Sequence, residues 1–190
     1  GAAPHAAFAA GSYSSPKTDI TMQVETDGSY RATEHRIIDF QGDSKPVTWS
    51  FTGLSQTASV HIDGVRVAQA DDDGNVASEW KTLSSTSFSA KWRDGGGPDD
   101  TAYAYDNAKS MLYVFLHAPD SRVIVELDYT IENAAIAYKD ISEVYWTYVS
   151  LDWPVASENV TATITLPIAQ GEAIIPNETV RAWGHGPKNG

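Results

Sequence analysis

Side chains able to do acid–base or metal chemistry are plentiful in this chain, and their spacing decides what they can do. The five histidines, His5, His35, His61, His117 and His185, stand on separate segments. None forms His-x-His or His-Glu-x-x-His, spacings that bring two imidazoles to one metal ion. The densest acidic run is Asp71-Asp72-Asp73-Gly74-Asn75. With Gly74 at the sixth position of a helix–loop–helix calcium loop, Asp71 and Asp73 take positions three and five, but Gln69 and Trp80 fall at positions one and twelve. That loop is excluded. Asp71 and Asp73, with Asp99 and Asp100, stay as candidate ligands of a different calcium site, beside their plainer reading as a hydrated turn. No complete ligand set is visible, so neither metal nor cofactor is expected.

Nucleophilic and phosphate chemistry fare no better. The chain has no cysteine, which removes thiol nucleophiles, zinc–thiolate sites and disulfides together. There is no Gly-x-Ser-x-Gly elbow, and Gly95-Gly96-Gly97 runs into Pro98-Asp99 rather than opening a helix, so no phosphate is cradled there. Glycoside hydrolysis needs two carboxylates facing one cleft, a relation that spacing along a chain does not display. Asn159-Val160-Thr161 and Asn177-Glu178-Thr179 match the glycosylation sequon and are read as chance matches.

Two groups of residues carry sharper expectations. Glu34 and Arg36 share one strand face with Tyr30, Ala32, Ile38 and Phe40, so alternation turns both charges toward the core unless a bulge intervenes, and there they must pair with each other or with groups on a neighbouring strand. Tyr138, Tyr145, Trp146, Tyr148 and Trp153 cluster within sixteen residues. Buried, they are core; exposed, Glu143, Trp146, Asp152 and Trp153 make a stacking and cation–π platform for a sugar or cationic partner.

The elements that position these residues are mostly strands. Val, Ile and Thr together number 42 against nine Leu and Met, a bias toward side chains that fit a pleated sheet. Ile20, Met22 and Val24 alternate with polar residues, Asp27-Gly28 supplies a turn, and Tyr30 to Phe40 closes a hairpin. Further strands are predicted at Val47–Phe51, Val60–Val67 with a hairpin or bulge at Asp63-Gly64, Val76–Leu83, Ser84–Trp92, Met111–His117, Val123–Ile131 and Val160–Leu166. Ile141, Val144, Tyr145, Tyr148 and Val149 follow helical spacing behind Asp140 and Glu143, which predicts one short helix. The reading is an all-β, antiparallel β-sandwich, immunoglobulin-like or jelly-roll-like, with one short helix. Residues 1–16 read as a flexible lead-in and 17–190 as a single domain large enough to bury about 70% of its unfolded surface.

Whole-chain charge narrows the partners. At −12 the protein offers no surface for phosphate backbones, and an anionic membrane surface repels it. No window approaches eighteen uncharged apolar residues, so any membrane link is expected from segments outside this chain. The charged n-region and apolar h-region of a signal peptide are also missing, as expected of a mature or trimmed chain.

The order of motifs adds a likeness. Val24 to Glu34, then Ile38-Asp39-Phe40, Tyr129-Thr130-Ile131, Tyr138-Lys139-Asp140, Glu143-Val144-Tyr145-Trp146, Val160 to Pro167 and Trp183-Gly184-His185-Gly186-Pro187 resemble the predicted bacterial membrane proteins of domain-of-unknown-function family 2207. The resemblance runs from about Lys17 to Pro187, leaves Ser84 to Asp106 unmatched, and suggests a pattern that continues beyond Pro187. It implies an extracytoplasmic β-domain tethered to the plasma membrane and brings no catalytic residues. The expected function is therefore a non-enzymatic module that contacts an envelope protein or polysaccharide; the alternatives are a carbohydrate-binding module and, less supported, a glycoside hydrolase-like enzyme.

Overall fold

Alternation of apolar and polar side chains builds the first hairpin. A computed structural model describes residues 12–51, 54–137, 142–144, 159–167 and 175 of the chain. Strand β1 (Ser12–Val24) buries Ile20, Met22 and Val24, and β2 (Tyr30–Gln41) buries Tyr30, Ala32, Ile38 and Phe40 beside them. Gly28 turns the corner with φ at 84°, a value open to glycine at no steric cost, while the Ser29 amide donates to Asp27 Oδ1 at 2.9 Å. The chain continues through β3 (Val47–Ser50), β4 (Ser59–Gln69), β5 (Lys81–Thr82) and β6 (Ser84–Ser85). A 3-10 helix (Ala90–Asp94) precedes β7 (Ala102–Asp106), β8 (Met111–Phe115), β9 (Arg122–Glu132), β10 (Ala135–Ala137), β11 (Ser142–Val144) and β12 (Val160–Thr165).

These strands form a six-stranded sheet in the order β12-β1-β2-β9-β4-β5, a four-stranded sheet in the order β3-β8-β7-β6, and a small β10-β11 hairpin. The two larger sheets share one core. Val47, Trp49, Phe51, Leu112 and Val114 of the smaller sheet pack with Met22, Tyr30, Ile38, Val65, Leu127, Tyr129 and Ile131 of the larger one. The all-β sandwich read from alternation is therefore the fold. Most pairings are antiparallel, but β12 lies parallel to β1 and β6 parallel to β7.

Loop excursions cover part of each outer face. The segment after β4 folds back so that Gly74, at φ 82°, lies against Ile37, and the loop after the 3-10 helix sets Gly97 on the ring of Phe115. Arg122 fastens the first excursion by donating to Asp39 Oδ2 at 2.7 Å and to the Asp72 carbonyl at 2.9 Å.

Several expectations need correction. Ser142–Val144 is a strand paired with Ala135–Ala137, not part of a helix; its β-branched and aromatic neighbourhood favours a pleat over a helical turn. The rest of the predicted helix lies outside the described residues. Strand β1 begins at Ser12, inside the expected lead-in. Its ladder shifts register between Ser14 and Lys17, so Pro16, which has no N–H to give, falls at an irregularity where none is required. Val76–Leu83 keeps only a bridge at Val76 and the two-residue β5, and Ser84–Trp92 divides into β6 and the 3-10 helix.

Candidate functional site

On one side of the sandwich the sheets stop short of each other's edges. Strand β5 pairs with β4 only at Arg66 and Val67, and β6 pairs with β7 only at Ala102 and Tyr103. Among the described residues, this leaves Ser59–Asp63 of β4 and Ala104–Asp106 of β7 as open edges flanking a groove of about 700 Å³. Its lining includes Val60, Ile62, Phe88, Tyr103, Tyr105 and Asp106. Val60, Ile62, Tyr103 and Tyr105 are partly buried against the main core.

The ladder fixes which backbone groups face the groove. The Val65 carbonyl points away from β9, where it accepts from the Leu83 amide at 2.9 Å. Val65 stands opposite Leu127, and Ile62 and Val60 stand opposite Tyr129 and Ile131, at the same parity of β9. Antiparallel alternation therefore turns the N–H and C=O of Val60 and Ile62 outward. On the other rim the Tyr103 carbonyl accepts from the Thr86 amide at 2.9 Å, so Tyr105, two residues on, presents its backbone groups on that same open side. The bulge between Ile62 and Gly64 ends the free stretch of β4.

The carboxylate that lines the groove is already engaged. Arg93 grips Asp106 with two parallel bonds of 2.7 Å, Nε to Oδ2 and Nη2 to Oδ1. This fork, helped by the amides of Ala108 and Lys109, holds the Asp106 carboxyl below the usual aspartate range. The Arg93 guanidinium also lies over the Phe88 ring, 5.5 Å from its centroid, and Phe88 and Trp92 pack on Tyr113 and Phe115. Burial raises the Tyr105 and Tyr113 hydroxyls above the ordinary tyrosine range, leaving both neutral.

A second polar array crosses the outer face of the large sheet. Register aligns Asp19, His35, Glu126 and Arg66 across four strands. His35 Nε2 lies 2.7 Å from Glu126 Oε2, while Arg66 donates to Glu126 Oε1 at 2.7 Å and lies over the Trp80 ring, 4.8 Å from its centroid. Acidic and basic side chains alternate along the row, the cross-strand arrangement that stabilises a sheet.

Between the sheets, Glu34 and Arg36 are both buried and meet at 3.2 Å, Arg36 Nη2 to Glu34 Oε1. The Arg36 guanidinium lies over the Trp49 ring, 5.5 Å from its centroid. Burial pushes the Glu34 carboxyl up, against the opposing effects of Arg36 and a Trp49 hydrogen bond. Desolvation pushes the partly buried Tyr13 hydroxyl up to about 12, against the lowering effect of hydrogen bonds with Thr48.

Glu143 belongs to β11, whereas Trp146, Asp152, Trp153, His5, His185 and Asn177 lie outside the described residues. The Asp71 carboxylate is used by its own turn, accepting from the amides of Asp73 at 3.0 Å and Asn75 at 2.8 Å. Among the described residues no three His, Asp or Glu side chains gather as a metal-holding group. His61 lies 3.6 Å from Glu132, and His117 meets the Pro98 carbonyl at 3.0 Å. Asn159 of the first sequon donates from Nδ2 to the Pro16 carbonyl at 3.1 Å. The groove was missed from sequence; the alternation of Ala102-Tyr103-Ala104-Tyr105 marks the strand at one rim but not the groove.

Comparison with known proteins identifies the domain. The profile of the N-terminal domain of the predicted membrane proteins designated DUF2207 matches residues 14–190. The chain belongs to this family. The DUF2207 match includes the middle segment that the motif comparison left unmatched, and among the described residues no helix is long and apolar enough to cross a membrane. No curated protein matches the chain. One similar solved structure is a putative protease from Parabacteroides distasonis, 13% identical, with a TM-score of 0.28 over 63% of this chain. The match spans only 22% of that protein.

Proposed function

We propose that this DUF2207 domain is a non-enzymatic interaction module that a membrane-anchored protein presents outside the cytoplasm, with the groove between β4 and β7 as its contact surface. The observation that carries the reading is the state of Asp106. It is the one carboxylate among the groove's described lining residues, and Arg93 holds it in a two-bond fork, so it is committed as a structural anion rather than available as an acid or base. The remaining polar groups there are backbone, hydroxyl, amide and imidazole groups, which suit recognition. Buried Glu34 and Glu126 likewise meet Arg36 and Arg66. For a carbohydrate-binding module, Trp80 lies beside His35 on the large sheet's outer face, but the Arg66 guanidinium already lies over its ring.

Two measurements on the full-length membrane protein test this reading. This domain has no cysteine of its own, so Ser87→Cys, compared with the same protein lacking the substitution, reports labelling at the domain. Labelling by a membrane-impermeant maleimide in intact cells is expected, and protection that is lifted only by lysis overturns the extracytoplasmic placement. A photo-crosslinking residue at exposed Asn107 should capture an envelope protein, while the same group at Lys45 should not. Equal capture at both positions, or capture of polysaccharide alone, overturns the protein-contact reading.

A further inference from the structure

The groove described above has a geometry that selects its occupant. We propose that it binds an extended, basic polypeptide segment of a partner protein by strand addition to β4, the added strand pairing with the outward backbone groups of Val60 and Ile62. This deepens the reading of the groove as a contact surface and rests on it. Val60 and Ile62 turn one donor and one acceptor each to the open edge, and neither β5 nor any other described strand reaches them. Such a row recognises the backbone of an extended chain whatever its sequence.

The surrounding side chains define the rest of the ligand. Val60, Ile62, Tyr103, Tyr105 and Phe88 make a largely apolar lining, which takes the inward side chains of a strand at every second position. The outward positions meet an acidic protein: the chain carries −12, and Asp63 and Glu132 stand exposed beside the free edge. Basic residues at those positions complement that charge. The free stretch Ser59–Asp63 is five residues, roughly 17 Å of strand, enough for a short peptide. The bulge at its end twists the edge away, which disfavours a long edge-to-edge ladder with a second copy and does not hinder a flexible segment.

The test uses the whole 190-residue chain and a capped heptapeptide of alternating Lys and Val. With millimolar peptide, hydrogen exchange at the Val60 and Ile62 amides should slow by about tenfold, and N-methylation of alternate peptide amides should weaken binding by about tenfold. A Glu/Val peptide should bind more weakly than the Lys/Val one. Ile62→Pro removes an outward N–H without removing a β4–β9 ladder bond and should abolish binding, with a lowered unfolding midpoint because the Ile62 side chain packs against the core. Should that variant unfold, the N-methylated peptide decides alone. No protection at Val60 and Ile62, or equal binding of the N-methylated peptide, overturns strand addition. If the Asn107 crosslink persists in that case, the groove remains a contact surface; if it is lost as well, both readings fall. Concentration-dependent protection of the same amides without peptide assigns the edge to a second copy and overturns the choice of occupant.

Discussion

Burying a carboxylate costs free energy that a neighbouring arginine only partly offsets, and Glu34 shows which effect wins. Its carboxyl is pushed up by desolvation although Arg36 stands 3.2 Å away. The native state therefore keeps a proton that the unfolded chain has already released. The associated stability is fully present below about pH 4 and is lost as pH rises through the folded-state value. Glu34→Gln, which does not titrate, should gain stability relative to wild type between pH 4 and 8 in urea unfolding. A constant difference across that range would mean Glu34 is ionised throughout. Glu34→Ala also leaves the Arg36 charge buried without this partner and should cost roughly 3–5 kcal/mol. Asp106 has the opposite sign. Its lowered carboxyl releases its proton in the native state before the unfolded chain does, so its contribution is present above about pH 4 and is lost as pH falls through the folded value. Asp106→Asn should close its stability gap to wild type on acidification, and a gap that widens instead would contradict the fork.

At the scale of elements, two glycines show where backbone conformation or close approach sets a loop in place. Gly74 has φ 82°, and a Cβ there would lie 2.6 Å from the Ile37 side chain, so Gly74→Ala combines left-handed strain with a contact that Ile37 can partly relieve. A loss of about 1–2 kcal/mol is expected by thermal unfolding. A Cβ on Gly97 would meet the buried Phe115 ring at 2.5 Å, and rigid aromatic carbon yields less than a methyl tip. Gly97→Ala should cost about 1–3 kcal/mol, and a neutral result would show the loop lifting off the sheet. The same elements show what the sequence made legible. Met22 and Val24 opposite Ala32 and Tyr30, with Ile20 on the same buried face, were readable because one buried face forces period two, and the Glu34–Arg36 contact is one of the pairings that alternation allowed. Lys81–Thr82 and Ser84–Ser85 were overextended because strands this short leave no period to count. Ser142–Val144 was misassigned because apolar residues three and four apart also arise in a β-prone segment. The groove was illegible for a different reason: it is made by where β5 and β6 stop, a relation among four strands that no local pattern encodes.

For the whole molecule, charge predicts two salt responses of opposite direction. The excess of twelve negative charges repels itself over distances comparable to the Debye length, about 10 Å at 0.1 M salt, so added salt relieves it. The exposed pairs Lys17–Asp19 and Arg31–Glu25 are screened too, but each is worth only about 0–1 kcal/mol. The buried Glu34–Arg36 pair is screened far less. Repulsion is the larger screened quantity, so the unfolding temperature should rise as sodium chloride increases from about 0.02 to 0.5 M. A falling unfolding temperature would show that surface pairs outweigh the net charge. The field that destabilises the fold also steers a basic segment toward β4, and over the same salt range the association rate of the Lys/Val peptide should fall by about tenfold, with dissociation changed much less. An association rate indifferent to salt would mean that the groove selects its occupant by backbone pairing and the apolar lining alone, and that the acidic surface serves a different contact.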